Sequence, residues 1–431
     1  MPMVERSQHQ HKLERGNELR FEVGSEEVDV ELTKDRAEMF GVPLKNFTKY
    51  AFPPGFRGAI YTHTKAEIEV TGNLEVEYIA PENKPMLSYV NVHAALKEIR
   101  DTITPNSNET GPVVMVTGPK HVGKSTLCKI LCNYAVRDVT PVIFADLDVG
   151  QNCVMPTCIS MVPVEQLTDL VNGFDTTTPF AYPYGHFDPL VNQKLYDLML
   201  ENMSEVFKKK LKTARFRKGG AVIDTTAWNK GKYYDSVVKA AELFNVTHVV
   251  VLDHERMYSD LGNDLPSTIK VIHMQKSGGV EALSPLQEGT TRKYTVHRYF
   301  YGTMNMNYRP QAYEFSYDCP REKLELRIAR IGVEALPSSL LPYGMSEEHQ
   351  TRTEYVNYTP ELNNRIVALI RDVSTLSSSI IKHHVVGFVL IKNVNLESKT
   401  VEVLLPAYPP IASRLGVLTE MLFNDDILHR I

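Results

Sequence analysis

Residues 113–126 constrain this chain more than any other segment. Val113-Val114-Met115-Val116 is an all-apolar run, typical of a parallel strand buried on both faces. Gly118-Pro119-Lys120-His121-Val122-Gly123-Lys124-Ser125 follows it and fits the spacing Gly, four residues, Gly-Lys-Ser/Thr. An apolar helix over 125–136 comes next. Strand, glycine-bearing loop and helix together are the context a P-loop requires. Loop amides, including those of His121, Val122 and Gly123, curl around phosphate oxygens, and the helix N-terminus adds a favourable dipole. Lys124 is expected to neutralise the β- and γ-phosphates, and Ser125 to ligate Mg²⁺ through its hydroxyl. Thr126 falls near the α-phosphate. The expectation is a nucleoside triphosphate site at 118–126.

The surroundings fit an α/β domain. Strands at 141–145, 221–223, 246–252 and 268–273 alternate with amphipathic helices at 196–212 and 233–244. That order predicts a doubly wound parallel sheet. Ahead of it the period changes to two. Residues 18–23, 28–32, 66–70 and 74–78 alternate apolar and polar, and read as half-buried antiparallel strands joined by hairpin turns. A helical pattern at 91–100 sets Val92, Ala95, Leu96 and Ile99 on one face, and a turn-rich linker follows at 102–112. After Arg309-Pro310 alternation returns at 324–328, with a hairpin from 385–391 to 401–405. Residues 1–16 are polar and aperiodic and read as a disordered tail. The expected domains are a β-sandwich over 17–105, a P-loop kinase domain over 106–308 and a mixed α/β, β-rich domain over 309–431.

Composition excludes some classes. The net charge of −5 rules out a uniformly basic surface, so any nucleic-acid contact must be local. Cys128, Cys132, Cys153, Cys158 and Cys319 contain no Cys-x-x-Cys pair, which fits a reducing compartment and core packing better than disulfides or zinc. The N-terminus lacks a signal-peptide core, and no apolar run approaches the roughly 20 residues of a membrane helix. A soluble, intracellular protein without membrane partners is expected.

Three carboxylates end strands beside the loop: Asp146, Asp148 and Asp224. Such positions face the ligand crevice, where a carboxylate holds Mg²⁺ or takes a proton from an attacking hydroxyl. At least one of the three is expected merely to hold a loop. Asp253-His254-Glu255 stands where a GTPase carries Asn-Lys-x-Asp, so guanine reading is disfavoured. Trp228, the only tryptophan, follows the Asp224 strand and either stacks a nucleobase or packs its own loop. The cluster Lys208-Lys209-Lys210, Lys212, Arg215, Arg217 and Lys218 reads as a solvated helix end, with a phosphate-binding patch or a nuclear import signal as alternatives. The polar stretch from Lys276-Ser277-Gly278-Gly279 to His297 carries Arg292 and Lys293, and reads as a lid over transferring phosphate or a plain surface connection.

Further motifs add up to a resemblance. Asp146-Leu-Asp-Val-Gly-Gln151, Ala227-Trp-Asn-Lys-Gly231, Val249-Val-Val-Leu-Asp-His-Glu-Arg256, Lys276-Ser-Gly-Gly-Val280 and Tyr299-Phe-Tyr-Gly302 resemble the Clp family of polyribonucleotide 5′-hydroxyl kinases and pre-mRNA cleavage complex II subunits. Asn133-Tyr-Ala-Val-Arg137 and Ala37-Glu-Met-Phe-Gly41 do so too. The resemblance implies ATP with its adenine held by Glu18, Phe40 and Arg57. It implies Asp148 acting at an RNA 5′-hydroxyl and binding Mg²⁺ with Ser125, Lys124 and Arg292 as catalytic cations, and Gln151 and Trp228 contacting RNA. It implies cleavage-factor and tRNA-splicing endonuclease partners in the nucleus. Two departures stand out. Asp224-Thr-Thr-Ala-Trp228 replaces the family's Asn-Thr-Cys-Gly-Trp, and the lid is poor in arginine while Glu281 and Glu288 oppose its cations. An ATP-bound scaffold with little catalysis is therefore the alternative to a kinase.

Overall fold

Period-2 alternation places one face of each N-terminal strand in a shared core. The computed structural model describes residues 7–81, 84–104, 109–227, 231–303, 306–332, 351–372 and 378–424. Strands β1 (Gln8–Leu13), β2 (Glu18–Val23), β3 (Val28–Asp35), β4 (Glu38–Met39), β5 (Val42–Pro43), β6 (Lys49–Phe52), β7 (Arg57–Tyr61), β8 (Ala66–Thr71) and β9 (Leu74–Ala80) make two antiparallel sheets. Their orders are β1-β8-β3-β6 and β5-β4-β7-β2-β9. Leu19, Phe21, Val30, Leu32, Ile60 and Ile68 meet between them.

Two expectations change here. The segment expected to be a disordered tail contributes β1, paired residue by residue with β8. An edge strand draws its order from backbone hydrogen bonds, so polar His9, Gln10 and His11 show no apolar period. The hairpins are also not hairpins: β2 and β3, like β8 and β9, lie in opposite sheets. Gly72, at φ 123°, turns the chain from one sheet to the other.

Helix α1 (Lys84–Thr102) is longer than the pattern at 91–100 and faces the central domain. Met86, Tyr89 and Leu96 join that domain's core, and Arg100 Nε donates to Gly219 O at 3.0 Å.

The central domain follows the order β10 (Val113–Thr117), α2 (Lys124–Arg137), β11 (Val142–Asp146), β12 (Cys158–Val164), β13 (Phe180–Pro183), α3 (Gln193–Leu211), β14 (Ala221–Asp224), α4 (Lys232–Leu243), β15 (His248–Leu252), α5 (Glu255–Asp264), β16 (Lys270–Met274) and α6 (Pro285–Tyr301). Its sheet runs β13-β12-β11-β14-β10-β15-β16. The segment β11-β14-β10-β15-β16 is parallel, and β12 and β13 extend it antiparallel at one edge. Val113 and Met115 serve one core and Val114 and Val116 another. Helices thus cover both faces, the doubly wound arrangement expected. Cys128, Cys132 and Cys158 are free and buried in the second core, where burial pushes their thiols up.

Beyond α6, β17 (Gly302–Thr303) and β18 (Met306–Asn307) pair briefly. Then β19 (Gln311–Ser316), β20 (Arg327–Ile331), β21 (Thr353–Tyr355), β22 (Arg365–Ile370), β23 (Val385–Asn395), β24 (Thr400–Leu405) and β25 (Leu415–Leu422) form a sheet ordered β19-β24-β23-β22-β25-β20-β21. Among the described residues this domain has 3₁₀ turns rather than α-helices. Its strands use both faces. Ile366, Ala368 and Leu390 pack on the central core, while Val367, Leu369 and Val389 build the domain's own.

Both flanking domains are tied to the centre by carboxylates. Glu38 of β4 accepts from Tyr134 and Arg137 on α2. Glu420 of β25 accepts from the Phe187 amide and faces His186 Nδ1 at 3.1 Å. No described helix is long and apolar enough to cross a membrane.

Candidate nucleotide site

The parallel strands end together at Thr117, Asp146, Asp224 and Leu252, and the loop 118–123 rises from the middle of that edge. Its glycines are required by geometry. A Cβ on Gly118 would stand 2.6 Å from Leu252 O, at a φ of +148°. Gly123, at φ 87°, caps the start of α2. Lys124 is 7% exposed and donates from Nζ to Pro119 O at 2.8 Å. That carbonyl is a neutral acceptor, which a phosphate oxygen would readily displace. Ser125 opens the same helix beside Asp224.

The strand-end carboxylates divide their work. Asp146 holds the loop: Oδ1 accepts from the Asp148 amide at 3.1 Å and Oδ2 from Cys153 at 2.7 Å. Burial and the neighbouring Asp224 and Asp148 push its carboxyl well up. Asp148 is the half-buried one of the three. Its Oδ1 accepts from the Gly150 amide at 2.8 Å, and burial raises its pKa against the pull of Lys124 and the Gly150 and Gln151 amides. Asp224, left open by the sequence, is part of the site. It is 2% exposed, and burial pushes its carboxyl up to about 6 against Lys124 and a hydrogen bond from Ser125. Its Oδ1 is buried without a hydrogen-bond partner. An orphaned anionic oxygen next to a P-loop serine fits a hydrated Mg²⁺. Among the described residues no three His, Cys, Asp or Glu side chains form a metal cage. Mg²⁺ in such sites takes one or two carboxylates and the phosphates themselves.

Most of the segment read as a lid or a surface connection is the helix α6. Ser284 and Gln287 make a capping box that starts α6. Arg292 Nε donates to Gly150 O at 2.9 Å, and its guanidinium lies 4.6 Å from the Phe187 ring centroid. Nη2 lies 3.3 Å from Glu288 Oε2. Gln151 turns to the lid as well, donating from Nε2 to Glu288 O at 3.3 Å. Thr126, half-buried, lies in the first turn of α2. Trp228 lies outside the described residues.

The residues expected around adenine separate into two places. Glu18, Arg20 and Glu22 share one face of β2, and Arg57 pairs with Glu22 at 3.0 Å. Arg20 binds Glu18 at 2.7 Å and Ser277 Oγ at 3.2 Å, and Arg57 lies 3.9 Å from Glu281. This face therefore meets the approach to the lid, residues 277–281, whose Val280 lies over Gly123. Phe40 sits elsewhere, with Lys129 Nζ 5.1 Å from its ring centroid and its carbonyl accepting from Asn133 at 2.9 Å. Sequence reasoning missed Arg20, which faces the lid, and Arg298, which bonds to Cys153 O at 2.6 Å and to Asn172 O. Arg20 alternates in phase with Glu18, and that was its available signal. At the other end of the domain, Lys208, Lys209 and Lys210 occupy the last turn of α3. Arg215 pairs there with Glu165, as a solvated helix end would.

The family described as mRNA cleavage and polyadenylation factor CLP1 P-loop matches residues 118–302. The N-terminal beta-sandwich domain of polyadenylation factor matches 12–103, and Pre-mRNA cleavage complex II protein Clp1 matches 316–425. A Protein CLP1 homolog of Brugia malayi is 39% identical over 430 residues, covering 98% of both chains. The chain belongs to the Clp1 family. Protein clpf-1 of Caenorhabditis briggsae is 37% identical, covering 99% of this chain and all of that one. A solved Clp1p, described for its interface with Pcf11p and for ATP loss in a point mutant, superposes with a TM-score of 0.83. It is 22% identical and covers 97% of this chain and 100% of that one, and so shares the Clp1 fold. The central domain is accordingly a Clp1 P-loop nucleotide-binding domain, in a chain of the mRNA-processing class.

Proposed function

We propose that this chain is an ATP- and Mg²⁺-dependent polyribonucleotide 5′-hydroxyl kinase, working in the nucleus in pre-mRNA 3′-end cleavage and in tRNA splicing. The backbone of one residue, Gly150, carries the argument. The Gly150 amide donates to Asp148 and the Gly150 carbonyl accepts from Arg292. The two backbone groups of one residue thus tie the carboxylate and the Arg292 cation to the same turn at the mouth of the P-loop.

The chemistry follows from those positions. The RNA 5′-oxygen attacks the γ-phosphorus while Asp148 takes its proton, and its raised pKa suits that task. The bond from phosphorus to the bridging oxygen breaks, and ADP leaves. Lys124 and Arg292 stabilise charge on the moving phosphoryl group. Ser125 and the Asp224 and Asp148 carboxylates would hold Mg²⁺, which would supply further neutralisation of phosphate charge. Glu18 and Arg57 border the nucleoside end, with Phe40 at one remove. Gln151 and Trp228 serve the RNA. Partners are RNA with a 5′-hydroxyl end, cleavage-factor subunits such as the Pcf11p found with solved relatives, and the tRNA-splicing endonuclease.

One observation favours a second reading. Arg292 is already paired with Glu288, which lowers its availability to phosphate. A nucleotide-retaining scaffold with little turnover would have that feature. Incubation with γ-labelled ATP and a 5′-hydroxyl RNA separates the two. The kinase predicts label on RNA well above a Lys124→Ala control. Label no higher than that control, with nucleotide retained, supports the scaffold instead.

A further inference from the structure

The first turn of α6 places a carboxylate against the outer lip of the P-loop. Glu288 is only 16% exposed at its side chain. Oε1 lies 3.3 Å from His121 Nε2 and 3.6 Å from Lys120 Nζ. Oε2 lies 3.3 Å from Arg292 Nη2. One acidic side chain thus joins Lys120 and His121 of the loop to Arg292 of α6. The contact is reinforced from both sides. The Leu283 amide approaches His121 Nδ1 at 3.4 Å, and Gln151 holds the Glu288 carbonyl.

The place matters because of how a P-loop reads phosphate. Amides at the start of the helix take the α- and β-phosphates, and the lysine reaches the β- and γ-phosphates. Loop residues ahead of them, here Lys120 and His121, border the end of the phosphate chain. We propose that Glu288 is a built-in stand-in for a terminal phosphate, so that this site takes a nucleoside diphosphate in preference to a triphosphate. The proposal rests on the nucleotide-site reading above.

A diphosphate leaves every Glu288 contact intact. A triphosphate brings a further anionic group to the same side chains and must displace the carboxylate or sit beside it, and like charges so close oppose binding. The same contact orders phosphoryl transfer. Arg292 reaches the γ-phosphoryl group only once Glu288 has let it go, and after transfer Glu288 closes again over ADP.

The test is calorimetric titration of the full chain with Mg·ADP and with Mg·ATP, for the wild type, Glu288→Gln and Glu288→Ala. Thermal melting of each protein checks folding. The wild type is expected to bind ADP at least about tenfold tighter than ATP, and both variants to bring the two affinities within about threefold. A wild-type preference for ATP overturns the proposal, as does a preference for ADP that survives unchanged in both variants. Failure of a folded wild type to bind either nucleotide sinks the site reading itself, and the proposal with it.

Discussion

Replacing Asp224 by Asn should stabilise the nucleotide-free protein at neutral pH. Burial moves this carboxyl from 3.8 to about 6. That difference corresponds to about 3 kcal/mol, at 1.36 kcal/mol for each factor of ten in the ionisation constant. The group is 2% exposed, so water does little to screen it. A carboxyl whose folded pKa is raised favours the folded state below its unfolded pKa. That advantage is lost as pH rises through the folded value, and at pH 7 the whole cost is present. Asparagine removes the charge but keeps only part of the interaction with Ser125 and Thr225. The expected gain is therefore about 1–2 kcal/mol, a rise of roughly 2–8 °C in the melting midpoint of a domain this size. Thermal melts at pH 7 and pH 4 read it out, and the gain should fade towards pH 4. Added Mg·ADP should stabilise the wild type more than the variant, because the orphaned Oδ1 then faces a hydrated cation. A midpoint at pH 7 no higher than wild type refutes the reasoning, as does a gain that persists undiminished at pH 4.

Other perturbations have clear signs. Burial opposes the Glu38 charge, but hydrogen bonds from His63 and Tyr134 and the Arg137 cation hold its pKa below the usual carboxylate range. Glu38→Gln should cost about 3–5 kcal/mol at pH 7, as for a broken buried pair. In denaturant titrations across pH the difference should shrink as pH falls through the folded pKa, which lies below 4.5. Gly118→Ala forces a Cβ to 2.6 Å from Leu252 O at positive φ. It should cost at least ~2 kcal/mol and abolish nucleotide binding in the same calorimeter. Phe187→Leu removes the ring under Arg292 and should lower phosphoryl transfer several-fold while leaving ADP affinity within about twofold.

Residues whose role follows from period or spacing were legible before the structure. The buried strand before Gly118, the helix after it and the strand ends at Asp146 and Asp224 all carry the pattern of a doubly wound sheet. What escaped was set by tertiary contact. The β1 strand is polar because it is an edge, and its order comes from pairing with residues far along the chain. The strands on either side of Gly72 look like a hairpin because alternation does not say which sheet a strand joins. Arg20 and Glu420 bond to the central domain from other domains, across separations that no local motif spans. Glu288 showed in the sequence as a charge opposing Arg292. Its reach to His121 emerged only once α6 lay over the loop.

The central claim is that Asp148, beside the P-loop, acts on an RNA 5′-hydroxyl. It is tested most directly by offering γ-labelled ATP with two RNAs that differ only at the 5′ end, one hydroxyl and one phosphate. Wild type and Asp148→Asn are run in parallel, with calorimetry confirming that both bind nucleotide. The account predicts label on the 5′-hydroxyl RNA alone, with the rate at saturating Mg·ATP lowered about 10²-fold or more by Asp148→Asn. Label at the same rate in both proteins, or none on either RNA from a nucleotide-loaded wild type, would contradict it.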